Sequence, residues 1–229
     1  MKEENYFNFP VMMLKGIWDA DNDKRNSFLS DILYYHIAKH AQKLPEMDFE
    51  ETEEEKFKRS AIFWGVNLNG NLNKKMVRGY ELLDLYQDTK VLTGINMGIF
   101  WQFYNDYKTD LEWHSLIVYL SLRSILGRKK YCKSNNDLLF SRMNGNVSKI
   151  NSNNFPITEY HRKKIIENLE LNWGLKYYSR YMRGFYFGFD IELEDLIFLA
   201  ENLKQKNKVE NLKDKKKKIF ERWKIQNEK

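Results

Sequence analysis

His36 and His40 stand four residues apart in YYHIAKHAQKL, the spacing that lets two imidazoles on one helix face share a metal ion. The glutamate of an HExxH motif and a third nearby ligand are both missing. The pair is therefore read as part of an amphipathic helix, and no metal is assigned. Cys132 sits among Arg128, Lys129, Lys130 and Lys133, neighbours that favour a thiolate. No nucleophile signature accompanies it, so it is given no catalytic role. The acidic run Asp48 to Glu55 offers carboxylates, but adjacent acids do not converge on a metal the way a nuclease site requires. They are read as a solvated face leading into the first turn of a helix, where negative charge suits the dipole. Neither GxxxxGK[ST] nor GxGxxG occurs, and NLNGNLNKK has one glycine at the wrong spacing, which argues against nucleotide-driven chemistry. The expectation is a protein that is not an enzyme and carries no cofactor.

Charge gives a more positive indication. The net charge of +6 is unevenly placed: residues 1 to 122 hold 14 Lys and Arg against 19 Asp and Glu, whereas residues 123 to 183 hold 13 against 4. A basic block of this kind favours a surface that meets a polyanion. Its candidate contacts are Arg128, Lys129, Lys130 and Lys133; Tyr160, His161, Arg162, Lys163 and Lys164; and Lys176, Arg180 and Arg183. Arginine can fork onto guanine or phosphate while lysine supplies a point charge, so Arg162 and Arg183 are given the larger roles. An ordinary solvated basic face is the competing reading of the same residues.

The elements that would position these residues are mainly helical. With 229 residues, 42% of them hydrophobic and only three prolines, the chain can bury a sizeable core. A single cysteine excludes an intramolecular disulfide framework, and MKEENYFNFP lacks the character of a signal peptide. LIVYLSL is too short to cross a membrane. A soluble, cytoplasmic protein with no membrane partner is expected. In the first half, VMMLKGIW suggests a short helix after Pro10. A helix from Lys24 ends before Pro45, with Phe28, Leu29, Ile32, Leu33 and Ile37 inward. KFKRSAIFW suggests a helix stopped at Gly65, and another helix follows the NLNGNLN turn, with Met76, Val77, Tyr80 and Leu83 inward. TGINMGIFWQFYNDYK is read as an aromatic helix, with a strand as the alternative.

In the second half, residues 111 to 127 form a helix closed by Gly127, and RKKYCK is read as a basic turn. Ser134 caps a short helix over NNDLLFSRM. After a polar stretch, Thr158 caps a third helix with Ile165, Ile166 and Leu169 inward and Gly174 at its end. LKYYSRYMRGFYFGFDI then alternates with period two on both sides of Arg183–Gly184, the pattern of a β-hairpin whose Phe185, Phe187 and Phe189 face the core. The tail 207–229 interleaves lysines with Val209, Leu212, Phe220 and Trp223 and is read as a basic tail with helical spacing.

The order helix, helix, basic helix, hairpin resembles a winged-helix domain, the helix-turn-helix variant with a hairpin after the recognition helix. The resemblance covers roughly residues 111–192 and departs from the family in the polar stretch between the second and third helices. It implies duplex DNA as partner, with Tyr160 to Lys164 near the bases and Lys176, Arg180 and Arg183 on the wing. YFNFP, RKKYCKSNNDLLFSRM and SRYMRGFYFGF also resemble uncharacterised proteins of phages and mobile elements in gut bacteria. The expected fold is thus mainly α: a helical N-terminal region over 1–110, a winged-helix-like unit with one β-hairpin over 111–206, and the tail. The expected role is DNA binding in replication or transcription control, with the N-terminal region making protein or homodimer contacts. A protein-interaction module, such as a phage-encoded inhibitor or assembly factor, is the alternative. RNA binding is a third reading and requires Tyr178 and Tyr186 to face solvent.

Overall fold

The first strand, β1 (Tyr6–Pro10), buries Phe7 and Phe9 completely and leaves Tyr6 and Asn8 on its other face. A computed structural model describes residues 6–46, 51–68, 70–149, 157–181 and 184–202, with Lys213, Lys216 and Lys217 in the tail; of Arg180 and Tyr181 only the main chain is described. β1 pairs antiparallel with β2 (Leu92–Asn96), setting Phe7 against Ile95. The aromatic helix expected from Thr93 onward is therefore half strand. Only at Asn96, whose side chain accepts a hydrogen bond from the Gly98 amide at 2.8 Å, does α4 (Met97–Asn105) begin. The reason is non-local: the backbone partners of β2 lie on β1, far earlier in the chain. VMML forms the expected short helix, as a single 3-10 stretch (Val11–Leu14).

Three helices follow β1, each started by a side-chain cap. α1 (Asn22–Ala41) is capped by Asp21, α2 (Glu53–Phe63) by a reciprocal box between Thr52 and Glu55, and α3 (Leu72–Tyr86) by Asn71. The acids Glu53 to Glu55 occupy the first turn of α2, as the dipole favours; Asp48 and Glu50 of the acidic run lie outside the described residues. α1 buries the expected stripe. α3 turns Leu83 inward as expected, with Met76 and Tyr80 packed against the core, but its buried face extends to Gly79 and Leu82 and leaves Val77 exposed. Gly79 explains the extension, because a Cβ there would sit 2.7 Å from the Tyr34 carbonyl oxygen. The bare glycine lets α3 approach α1 at that point.

The centre of the molecule is α5 (Asp110–Leu126), in which every residue from Ser115 to Leu122 is buried. A helix apolar on all sides needs cover on all sides, which comes from β2 and the Val11–Leu14 segment before it in the chain and from the Tyr131–Ser134, Asn136–Met143 and Glu159–Asn172 segments after it. Its serines satisfy themselves locally, Ser115 Oγ donating to Leu111 O and Ser121 Oγ to Ile117 O, each at 2.7 Å. One cluster of buried side chains runs from Phe7 through α5 to Phe187. The boundary near residue 110 thus separates groups of elements that share a core.

After α5 and Gly127, whose φ is +57°, the expected basic turn runs only to Lys130 and gives way to a strand, β3 (Tyr131–Ser134). Ser134 ends that strand, and the cap of α6 (Asn136–Met143) is Asn135, which accepts from the Leu138 amide at 2.9 Å. Thr158 caps α7 (Glu159–Asn172) as expected, with Ile165 and Leu169 buried. The hairpin β4 (Lys176–Tyr181) and β5 (Gly184–Gly188) follows, and β3 joins it to give a three-stranded antiparallel sheet in the order β3–β5–β4. A helix over 193–202, here α8, comes last. The protein is mainly helical with two small antiparallel sheets. No helix among the described residues is long and apolar enough to cross a membrane.

Candidate nucleic-acid interface

Thr158 Oγ1 accepts from the His161 amide at 3.1 Å, which fixes the first turn of α7. Turning inward from there, Ile165 and Leu169 pack on the core and Asn168 donates to Ser115 Oγ of α5 at 2.9 Å. This locks the rotation of α7 and leaves Tyr160, Lys163 and Lys164 exposed on its outer face. Lys164 Nζ lies 4.6 Å from the centre of the Tyr160 ring, so the phenol and the ammonium present together. The face is mixed: Glu167 stands 3.9 Å from Lys163, and Glu159 occupies the first turn.

The other candidates on α7 have structural ties. Arg162 is half-buried and donates to Asn136 Oδ1 at 3.2 Å, so it bridges the first turns of α7 and α6. His161 is half-buried against His114, with Nε2 2.9 Å from His114 Nδ1. His114 Nε2 is 3.1 Å from the Trp18 carbonyl oxygen, which can only accept, so His114 carries its proton on Nε2 when neutral. His161 must then donate. The Trp18 ring stacks on His114 at 4.0 Å. The same Trp18 carbonyl also accepts from Arg25 of α1 at 3.3 Å, and Arg25 binds Asp110 of α5 at 2.6 Å. Burial holds the His114 imidazole below its ordinary pKa, with the His161 and Arg25 charges acting in the same direction. No spacing in the sequence signals this chain from α1 through Trp18 to α7, because its members come from four separate segments.

The sheet divides the remaining candidates. Ser134 pairs with Phe185 next to the turn, whereas Tyr131 and Lys176 both pair with Gly188. Lys133 pairs with Tyr186 midway along β5, Lys176 pairs two residues further on, roughly 7 Å along the strand, and Arg128 to Lys130 precede β3. Arg128, Lys129 and Lys130 are exposed there. Lys133 Nζ lies 5.8 Å from the Tyr186 ring. The Arg180 side chain and Arg183 lie outside the described residues. Tyr178 and Tyr186 oppose each other across β4–β5 and are half-buried; Tyr178 donates to Glu201 of α8 at 2.8 Å. The chain's own α8 thus engages the Tyr178 hydroxyl on that face.

Between the turn end of the sheet and the starts of α6 and α7 lies an open groove of about 710 Å³, bounded by Asn135, Asn136, Thr158, Arg162, Ser179 and Gly184. Two helix N-termini face it, and free amides at such ends suit phosphate oxygens. Asp137 and Glu159 also line it, and Asp137 is engaged by Lys149 at 2.9 Å. Asn135 and Asn136 did not stand out in the sequence; Asn-Asn-Asp before an apolar run is a cap signal that could have marked them. Cys132, by contrast, is not activated by its basic neighbours. Burial in the sheet dominates and pushes its thiol up to about 11. No protein family, curated protein or solved structure matches the chain.

Proposed function

We propose that residues 110–188 form a winged-helix unit that binds duplex DNA through the outer face of α7, the groove beside it and the β4–β5 wing. The observation that carries this reading is topological. Helix, strand, helix, helix, strand, strand, with the first strand added beside the last, is the arrangement α5–β3–α6–α7–β4–β5 in sheet order β3–β5–β4. A third strand in that place was not expected from the sequence, and it is what a winged helix requires. Tyr160, Lys163 and Lys164 would enter the major groove within reach of bases and flanking phosphates, Arg162 and the α6 start would meet the backbone, and Lys133 and the turn would lie along the flank. The biological setting proposed is replication or transcription control of a phage or mobile element.

Fluorescence anisotropy with a labelled duplex tests this. Charge reversal by Lys163→Glu with Lys164→Glu should weaken binding at least about tenfold, since two phosphate contacts become repulsions. Unchanged affinity in a variant with a native circular dichroism spectrum would remove α7 from the interface.

A second reading, a protein-interaction module, draws support from Ile62 and Phe63 at the end of α2, which are 68% and 66% exposed. Such a patch suits a partner or a second copy of the chain. A stable complex in light scattering combined with no affinity for duplex DNA would select it.

A further inference from the structure

We propose that the cleft where α1, α2 and α5 end against the β1–β2 sheet is a second binding site, for a nucleoside phosphate. This inference does not rest on the winged-helix reading. The cleft measures about 800 Å³, within the range of small-molecule sites. Four cations line it: Lys39 and Lys43 from the end of α1, Arg123 from the last turn of α5, and Arg128 just beyond. No Asp or Glu lines it among the described residues.

Other cations of the chain are matched to acids. Arg25, Lys56, Arg59 and Arg78 each face a carboxylate within 3 Å. Lys39, Lys43 and Arg123 make no ion pair among the described residues. Lys39 and Arg123 instead lie over rings, 5.4 Å from Tyr35 and 4.9 Å from Tyr6. The crowding has an electrostatic consequence. Burial and then the neighbouring Lys43 charge lower the Lys39 pKa, and burial, His40 and Lys39 lower that of His36. An anion in the cleft would relieve these repulsions. Basic residues at helix C-termini are favourable on their own, which accounts for a lysine on α1 and an arginine on α5. It does not account for both sets lining one acid-free space.

The rest of the lining suits a base more than a bare phosphate. Tyr6 and Trp64 supply aromatic surface. Trp64 Nε1–H and both ring nitrogens of His36 are buried and make no protein hydrogen bond, although the Asn8 main chain lies near the His36 ring. His40 is already oriented: Ser60 Oγ gives its proton to the Ile37 carbonyl and so accepts from His40 Nδ1–H, each bond being 2.9 Å. A ligand with phosphates for the cations and a heterocycle for the aromatic wall matches this chemistry.

The test is isothermal titration of the full chain with ADP, adenosine and a short 5′-phosphorylated single strand, using wild type and Lys39→Gln with Lys43→Gln. ADP should bind and adenosine should not, and the double variant should lose at least about tenfold in ADP affinity, the scale of a lost charged contact. Duplex DNA affinity should be unchanged in the same variant. Binding of the strand but not ADP, with the same loss, would assign the nucleoside phosphate to a strand end. Absence of binding to either ligand would overturn the proposal. So would an unchanged affinity in the single variant Lys43→Gln, which is exposed and guards against a folding defect.

Discussion

Gly79→Ala should destabilise the protein, although in an isolated helix the same change stabilises. Gly79 lies inside α3 and is buried against α1. Alanine there gains about 1 kcal/mol from reduced backbone entropy in the unfolded chain and better helix propensity. Against that, the new Cβ would meet the Tyr34 carbonyl oxygen at 2.7 Å, the Tyr34 carbonyl carbon at 3.2 Å and Ala38 Cβ at 3.1 Å, where ordinary contact begins near 3.4 Å. Two of these atoms are backbone and cannot rotate away, so the helices must part by roughly 0.5–0.7 Å along a packed interface, and overpacking of this kind costs about 1–3 kcal/mol. The net loss is about 1 kcal/mol, or a fall in Tm of about 2–4 °C for a chain of this size. Urea denaturation followed by circular dichroism measures it. A variant more stable than wild type by about 1 kcal/mol would show that α1 and α3 do not approach this closely.

Two further outcomes follow from burial. His36 is held at about 4 by desolvation in the folded protein, against an ordinary 6.5, so the unfolded chain takes up its proton first. Stability is then full above pH 6.5 and falls as pH drops toward 4. Between pH 7.5 and 5 the His36 share is about 2 kcal/mol, and denaturation of His36→Phe at those two pH values should show a loss smaller by that amount; equal losses would contradict it. Cys132, with its thiol raised to about 11, should react with a thiol reagent at pH 8 on the order of 100-fold more slowly than free cysteine, and a rate near that of free cysteine would show that the basic neighbours outweigh burial.

Local chemistry made the helices legible. Thr158 before an apolar stripe and Gly127 and Gly174 after one are signals carried within a single turn, and each stands where expected. The hairpin was legible for the same reason, because Phe185 and Phe187 alternate with Gly184, Tyr186 and Gly188 and are buried. β3 was not. YCKS has four residues, one lysine and no turn residue, and it is a strand only because β5 offers it a ladder. β2 was hidden in the same way behind β1. The charge block marked a basic stretch of sequence, but a one-dimensional count cannot show that Lys133 lies midway along β5. Nor could it show that Lys39 and Arg123, from two helices, line one cleft.

The central claim is that the α7 face and the groove beside it meet duplex DNA, and the salt dependence of wild-type binding tests it most directly. Arg162, Lys163, Lys164 and Lys133 stand at that end of the molecule. About four neutralised phosphates give a slope of log K against log salt of about −3.6, so affinity for a duplex should fall on the order of 100-fold between 50 and 200 mM salt. Anisotropy titrations at those two concentrations should show that fall. Undetectable binding at 50 mM salt, or affinity independent of salt, would contradict the account.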